Sequence, residues 1–287
     1  MIDIIREKLA TYPAAEQENA LKEILQEIAL FALWRADFFD VALFQGGTSL
    51  RILHGLPRFS EDLDFLLRQP GPDFNWTPYL DQMTGVFKAF GLKLETQSRE
   101  QMERAIRQAV LKDDSIARQL DLQFGATGSN RTIRIKLEID TNPPALSGEA
   151  TTFLDFPADF EVRHQDLPSN FALKIHALLC RGYLKGRDWF DFSWYVARGI
   201  SPNLPHLRAA LLQSGPWKDT ENLTVDNAWL REALATTIDR IDWPAAAEDV
   251  RRFLRPAEES SLRLWSAPFF RSKLDKLLPP APQRNEG

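Results

Sequence analysis

The sequence is short of sulfur and of imidazole. Its 287 residues include one cysteine, three methionines and four histidines. Cys180 alone can neither close an internal disulfide nor complete a cysteine-rich zinc site, so a reducing cytoplasm is the expected location. His54, His164, His176 and His206 are scattered and show no metal-ligand spacing. Long apolar runs are missing as well. The longest patch, Ile28–Trp34, is bounded by Glu27 and Arg35 and falls far short of the roughly 20 residues a membrane span needs. Residues Met1 to Lys8 lack the basic stretch and apolar run of a signal peptide. Charge of one sign is not in large excess: 35 Lys and Arg face 40 Asp and Glu, a formal charge of −5. That balance disfavours a protein held on nucleic acid by bulk charge but leaves room for a local basic groove. There is no internal repeat, no Walker A loop and no Gly-x-Ser-x-Gly elbow, which argues against a P-loop NTPase and a serine hydrolase.

What is present is an ordinary globular composition, 44% hydrophobic and 26% charged, in a chain long enough for one or two cores. Residues 14–37 read as an amphipathic helix through Leu21, Ile24, Leu25, Ile28 and Ala32. Val41–Phe44 is a short apolar run broken by Gly46-Gly47. A helix then starts at Thr48, its expected cap. Leu63–Leu67 is a strand candidate, and Thr77–Phe90 is helical until Gly91. Alternation at Leu92–Thr96, Leu120–Phe124 and, most cleanly, Thr132–Asp140 predicts strands, with Gly125–Asn130 a hairpin connector and Phe160–Arg163 one strand more. From Pro168 the pattern is helical: 169–182, 187–198, 204–213, 226–240, 244–254 and 260–276. Mixed α and β over 1–165, helices over 166–278 and a flexible Pro-rich tail over 279–287 follow. The active site is expected at the junction of the first two.

Two separated motifs carry chemistry. Gly46-Gly47-Thr48-Ser49 lies between a strand and a helix, where glycines admit a ligand to the backbone and free amides suit phosphate. Read alone, it is a tight turn. Asp62-x-Asp64 changes the weighting. In a strand both carboxylates share one face while Leu63 and Phe65 share the other. Side-by-side carboxylates repel unless a cation intervenes, and oxygen-only donors suit Mg²⁺ or Mn²⁺. Glu138 or Asp140 offers a third carboxylate. Glu138 is favoured because Asp140 lies beside the Asn142-Pro143-Pro144 turn. Lys174 offers a point charge to a triphosphate, and Asp188 and Asp191 share a helix face with Asp188 readable as a simple N-cap. Arg131, Arg134, Lys136, Arg181, Lys185 and Arg187 could form a basic surface, while Trp189, Trp194 and Tyr195 read as packing residues.

Taken in order, Gly46-Gly47-Thr48-Ser49-Leu50, Arg58-Phe59-Ser60-Glu61-Asp62-Leu63-Asp64-Phe65, Lys174 and Arg187-Asp188-Trp189-Phe190-Asp191 resemble the AbiEii/AbiGii-type nucleotidyltransferase toxins of the DNA polymerase β-like superfamily. The resemblance covers about residues 40–200. It implies an α+β fold: a nucleotidyltransferase-like mixed β-sheet core with flanking helices, then a helical C-terminal domain. It further implies nucleotide binding by Gly46, Gly47, Thr48, Ser49 and Lys174, with Arg58 beside them. Asp62 and Asp64 match the metal-binding carboxylates and Asp191 the later acidic residue, while no family motif fixes the third carboxylate, which stays with Glu138 on the strand reading. The implied cofactor is Mg²⁺ or Mn²⁺, the substrate an NTP, and the acceptor RNA, as in relatives that modify tRNA ends. An abortive-infection or toxin–antitoxin role, with a cognate antitoxin and no membrane, completes the expectation. Thr48 stands where the superfamily usually has serine, and the hydroxyl is kept. A catalytically silent nucleotide- or protein-binding module on the same fold and a metal-dependent phosphohydrolase are the competing classes.

Overall fold

The computed structural model describes residues 2–93, 95–99, 106–113 and 133–280, and these fall into two compact units. The first comprises Met1–Pro143 and Glu149–Gln165, the second Pro144–Gly148 and Asp166–Gly287. The expected strand Leu120–Phe124, its hairpin connector and the tail beyond Pro280 lie outside the described residues.

Among the described residues the first unit is built on one seven-stranded mixed sheet. Its strands are β1 (Ala42–Gln45), β2 (Asp62–Leu67), β3 (Glu95–Arg99), β4 (Ile106–Asp113), β5 (Ile133–Asp140), β6 (Glu149–Leu154) and β7 (Phe160–Gln165). Their order is β3-β4-β5-β2-β1-β7-β6, so β2 is central. It runs antiparallel to β1 and parallel to β5. Helices α1 (Ile2–Ala10), α2 (Gln17–Trp34), α3 (Gly46–His54) and α4 (Thr77–Ala89) belong to the same unit. The apolar residues of α2 and α4 share one buried cluster with Leu63 and Phe65 of β2 and Ile133, Ile135, Leu137 and Ile139 of β5. The helices therefore cover one sheet face, and the alternation along β5 puts its polar residues on the other.

Several boundaries differ from the sequence reading. The span read as one helix from residue 14 begins with a short 3₁₀ turn at Ala14–Glu16, and α1 precedes it. Strands β4 and β6 carry no clean apolar alternation and were not legible. β3 starts at Glu95, three residues beyond the predicted start.

The second unit is helical: α5 (Leu167–Cys180), α6 (Gly186–Ala197), α7 (Leu204–Gln213), α8 (Asn227–Ile238), α9 (Trp243–Arg251), α10 (Pro256–Glu259) and α11 (Ala267–Leu277). Side chains of Asp166, Asn203, Asp226, Asp242 and Ser266 cap five of them by accepting backbone amides. The predicted helix 260–276 is split, because Trp265 is extended and Ser266 starts α11 afresh. Phe171 stacks on Tyr195 at 4.2 Å and Trp189 lies edge-on to Trp243 at 5.0 Å, so Trp189 and Tyr195 are core residues, as read, while Trp194 is only partly buried. Among the described residues no helix is long and apolar enough to cross a membrane.

Glu27 of α2 is a largely buried carboxyl, its side chain 13% exposed. Burial pushes its pKa up from 4.5 to about 7; pairing with Lys8 opposes this, and Glu23 and Asp155 add to it. A carboxyl with a native pKa above its unfolded one holds its proton more tightly when folded. Stability from this group is therefore greatest below about pH 4.5 and is lost as pH rises through about 7. We expect Glu27→Gln to gain on the wild type by on the order of 2–3 kcal/mol between pH 4.5 and 8. Urea unfolding of both proteins at the two pH values measures it; a pH-independent difference rejects the assignment.

Candidate active site

The site is built outward from β2. Leu63 and Phe65 are buried, and Phe65 lies edge-on to Phe38 at 4.9 Å. Asp62 and Asp64, with the opposite parity, are partly exposed. A one-residue slip would put both carboxylates into the aromatic core, so this packing fixes which face they occupy. Register then places their neighbours. Asp64 pairs with Gln45 of β1 on one side and Glu138 of β5 on the other, while Asp62 pairs with Lys136.

The segments flanking β2 are tied down by side-chain-to-backbone bonds. The buried Gln26 amide of α2 donates to the carbonyls of Ser60 (3.1 Å) and Glu61 (2.9 Å). Thr48 donates its hydroxyl to the carbonyl of Asp62, and Ser49 to that of Gly46 at 2.9 Å. Thr48 is thus not a cap. Gln45 holds that position, and both hydroxyls face inward from buried residues. Gly46 has φ +79°, and a Cβ there would stand 2.7 Å from Oδ2 of Asp64. A Cβ on Gly47 would stand 2.5 Å from Nη2 of Arg58. The glycines therefore let the start of α3 close onto a carboxylate and a guanidinium. Arg58 is buried, and its Nη1 donates to the Phe59 carbonyl at 3.0 Å.

Glu138 carries two partners on one oxygen. Lys136 Nζ lies 2.6 Å from Oε1, and Gln108 Nε2 of β4 donates to the same atom at 2.7 Å. Burial alone would lower the Lys136 pKa; the Glu138 hydrogen bond and the charges of Glu138, Asp62 and Asp64 outweigh it and raise it. Asp140 pairs with Leu66 and accepts the Asn142 amide at 2.9 Å, closing the turn after β5. Burial raises its pKa, against that hydrogen bond. Glu138, and not Asp140, lies level with Asp64. The donor set is all oxygen and suits a hard divalent cation. Among the described residues no three acidic, histidine or cysteine side chains converge on one point, and Glu138 is turned to Lys136 and Gln108.

Lys174 and Asp191 belong to the second unit. Lys174 Nζ lies 3.1 Å from Asp188 and 2.8 Å from Asp191, and Arg181 pairs with the other Asp188 oxygen. Both aspartates are buried. Burial would raise the Asp188 pKa, but Lys174, Arg181 and Lys185 together lower it. Asp188 is not the N-cap of α6; Lys185 is, and Asp188 sits within the first turn as the hub of a buried ion network.

The chain shares its fold with a solved bacterial protein. JHP933 from Helicobacter pylori aligns with a TM-score of 0.50 at 16% identity, over 89% of this chain and 93% of that one. An antigenic nucleotidyltransferase-like protein from Paracoccidioides brasiliensis aligns at 14% identity over 82% and 95%, with a TM-score of 0.36. No curated protein matches the chain. The nucleotidyl transferase AbiEii toxin family of type IV toxin–antitoxin systems matches residues 28–276, and the chain belongs to it.

Sequence reading missed Gln26, Gln108 and the Arg181–Asp188 pair. Their roles come from register and packing, and no local pattern marks them.

Two substitutions test the geometry. Gly46→Ala is expected to cost about 1–3 kcal/mol by forcing a left-handed alanine against Asp64; thermal melts read it, and an unchanged Tm rejects the close approach. Lys174→Met strips a cation from two buried aspartates and should cost about 3 kcal/mol. Denaturant unfolding measures that loss, and a neutral result rejects the buried network.

Proposed function

We propose that this chain transfers a nucleotide from an NTP to an RNA acceptor, with tRNA the favoured substrate, using a divalent cation held by Asp62, Asp64 and Glu138. The observation that supports this most is register: Asp64 and Glu138 are directly paired on adjacent central strands, Asp62 shares their face, and Gly46 closes onto Asp64. In nucleotidyl transfer the acceptor hydroxyl oxygen bonds to the α-phosphorus, the bond to the bridging oxygen of the β-phosphate breaks, and pyrophosphate leaves. A bound Mg²⁺ or Mn²⁺ supplies charge neutralisation on the phosphates and acidifies the attacking hydroxyl. The carboxylates of Asp62, Asp64 and Glu138 hold that cation.

The backbone of Gly46 and Gly47 presents amides to phosphate at the start of α3. Thr48 and Ser49 serve by locking that turn, and Arg58 adds positive charge behind Gly47. In the second unit Lys174 supplies a phosphate contact, and Asp191 with Asp188 orients its ammonium. Positioning and electrostatics carry most of the acceleration in phosphoryl chemistry of this kind. In the cell the protein acts as the toxin of an abortive-infection system opposed by a cognate antitoxin.

The test uses purified protein, each labelled NTP separately, Mg²⁺ and total RNA. Label should enter an RNA band with at least one NTP and disappear with EDTA. Asp62→Asn and Asp64→Asn should each lower the rate by at least about 100-fold, with an unchanged circular dichroism spectrum. No labelling with any NTP, or full activity in Asp64→Asn, would sink the proposal.

A further inference from the structure

The arrangement around Glu138 carries a further step, which rests on the cation reading above. Three carboxylates share one sheet face, yet an ammonium already stands among them. Lys136 is the register partner of Asp62, lies two residues before Glu138 on the same face, and contacts Glu138 Oε1 at 2.6 Å. Its charge acts on Asp62 and Asp64 as well as on Glu138. Its side chain is 39% exposed and that of Glu138 25%, so the contact can be exchanged without opening the core. Gln108 holds the same Glu138 oxygen from β4. Glu138 is therefore engaged by two protein donors on Oε1.

We infer that Lys136 is a built-in counter-ion that competes with the divalent cation for Glu138 and for the field of Asp62 and Asp64. A cation drawn to the three carboxylates meets the charge of Lys136 already seated on Glu138 Oε1. Lys136 is thus a positioning residue. It keeps the three carboxylates compatible in the metal-free protein and sets a threshold for metal binding. A lysine that served only the substrate, set apart from the carboxylates, would need no such contact, and its removal would change metal affinity far less.

The alternative role is explicit. Lys136 could instead reserve its charge for the phosphates of the nucleotide. The two roles predict opposite results for metal alone and for nucleotide affinity.

The test measures Mn²⁺ binding to the full chain without nucleotide, by electron paramagnetic resonance of the free ion and by calorimetry. The forms compared are wild type, Lys136→Met, Lys136→Gln, Lys136→Arg and Asp64→Asn. Removing one unit charge within contact distance of the site should tighten Mn²⁺ binding about tenfold in Lys136→Met and Lys136→Gln. Lys136→Arg, which keeps the charge, should stay near wild type. Asp64→Asn should weaken binding and so identifies the site being read. Unchanged or weaker Mn²⁺ binding in both neutral variants overturns the counter-ion role; a raised KM for NTP alongside it would assign Lys136 to substrate. If no form shows Asp64-dependent Mn²⁺ binding, the cation reading fails together with this inference. Wild-type binding that depends on Asp64 but ignores Lys136 removes this inference alone.

Discussion

The pairing of β2 between β1 and β5 is the constraint on which the site depends. Phe65 and Leu63 are held in the aromatic and aliphatic core, so Asp62 and Asp64 have one face available to them. Because β5 runs parallel and in register, the same pairing sets Glu138 level with Asp64 and Lys136 level with Asp62. No loop has to be ordered for the carboxylates to share a face. The hydrophobic contacts on one side of the sheet determine the electrostatics on the other.

Carboxylates concentrated in this way need compensation, and each unit supplies it with its own cations. In the first, Lys136 stands among three acids and Arg58 lies behind Gly47. In the second, Lys174 and Arg181 neutralise Asp188 and Asp191. Asp188 and Asp191 are buried, and without partners each would cost several kcal/mol, so their pairs are conditions for folding as much as chemical equipment. The formal excess of acid over base says nothing about them, because their charge is cancelled locally.

How much of this was legible in the sequence follows from the range of each interaction. Alternation exposed β5 and the polar face of β2, and Gly-Gly marked the turn into α3, because these signals lie within a few residues. The seven-stranded order was not legible: β4 and β6 lack clean alternation, and β5 meets β2 across about seventy residues of chain. Thr48 read as a cap because hydroxyls favour helix starts, yet its hydroxyl is spent on the Asp62 carbonyl, a contact only the strand pairing creates. Asp188 read as a cap because a carboxylate also accepts helix amides, and burial among Lys174 and Arg181 overrides it.

The central position of β2 has a consequence for how the protein wears out. Strands at the rim of a sheet can fray and reclose while the middle stays intact, whereas a strand flanked on both sides opens only with the whole unit. The carboxylates therefore sit on backbone whose amide exchange should track global unfolding. Partial damage at the outer strands β3 and β6 would leave the acids aligned, and the site would persist until the sheet itself is lost.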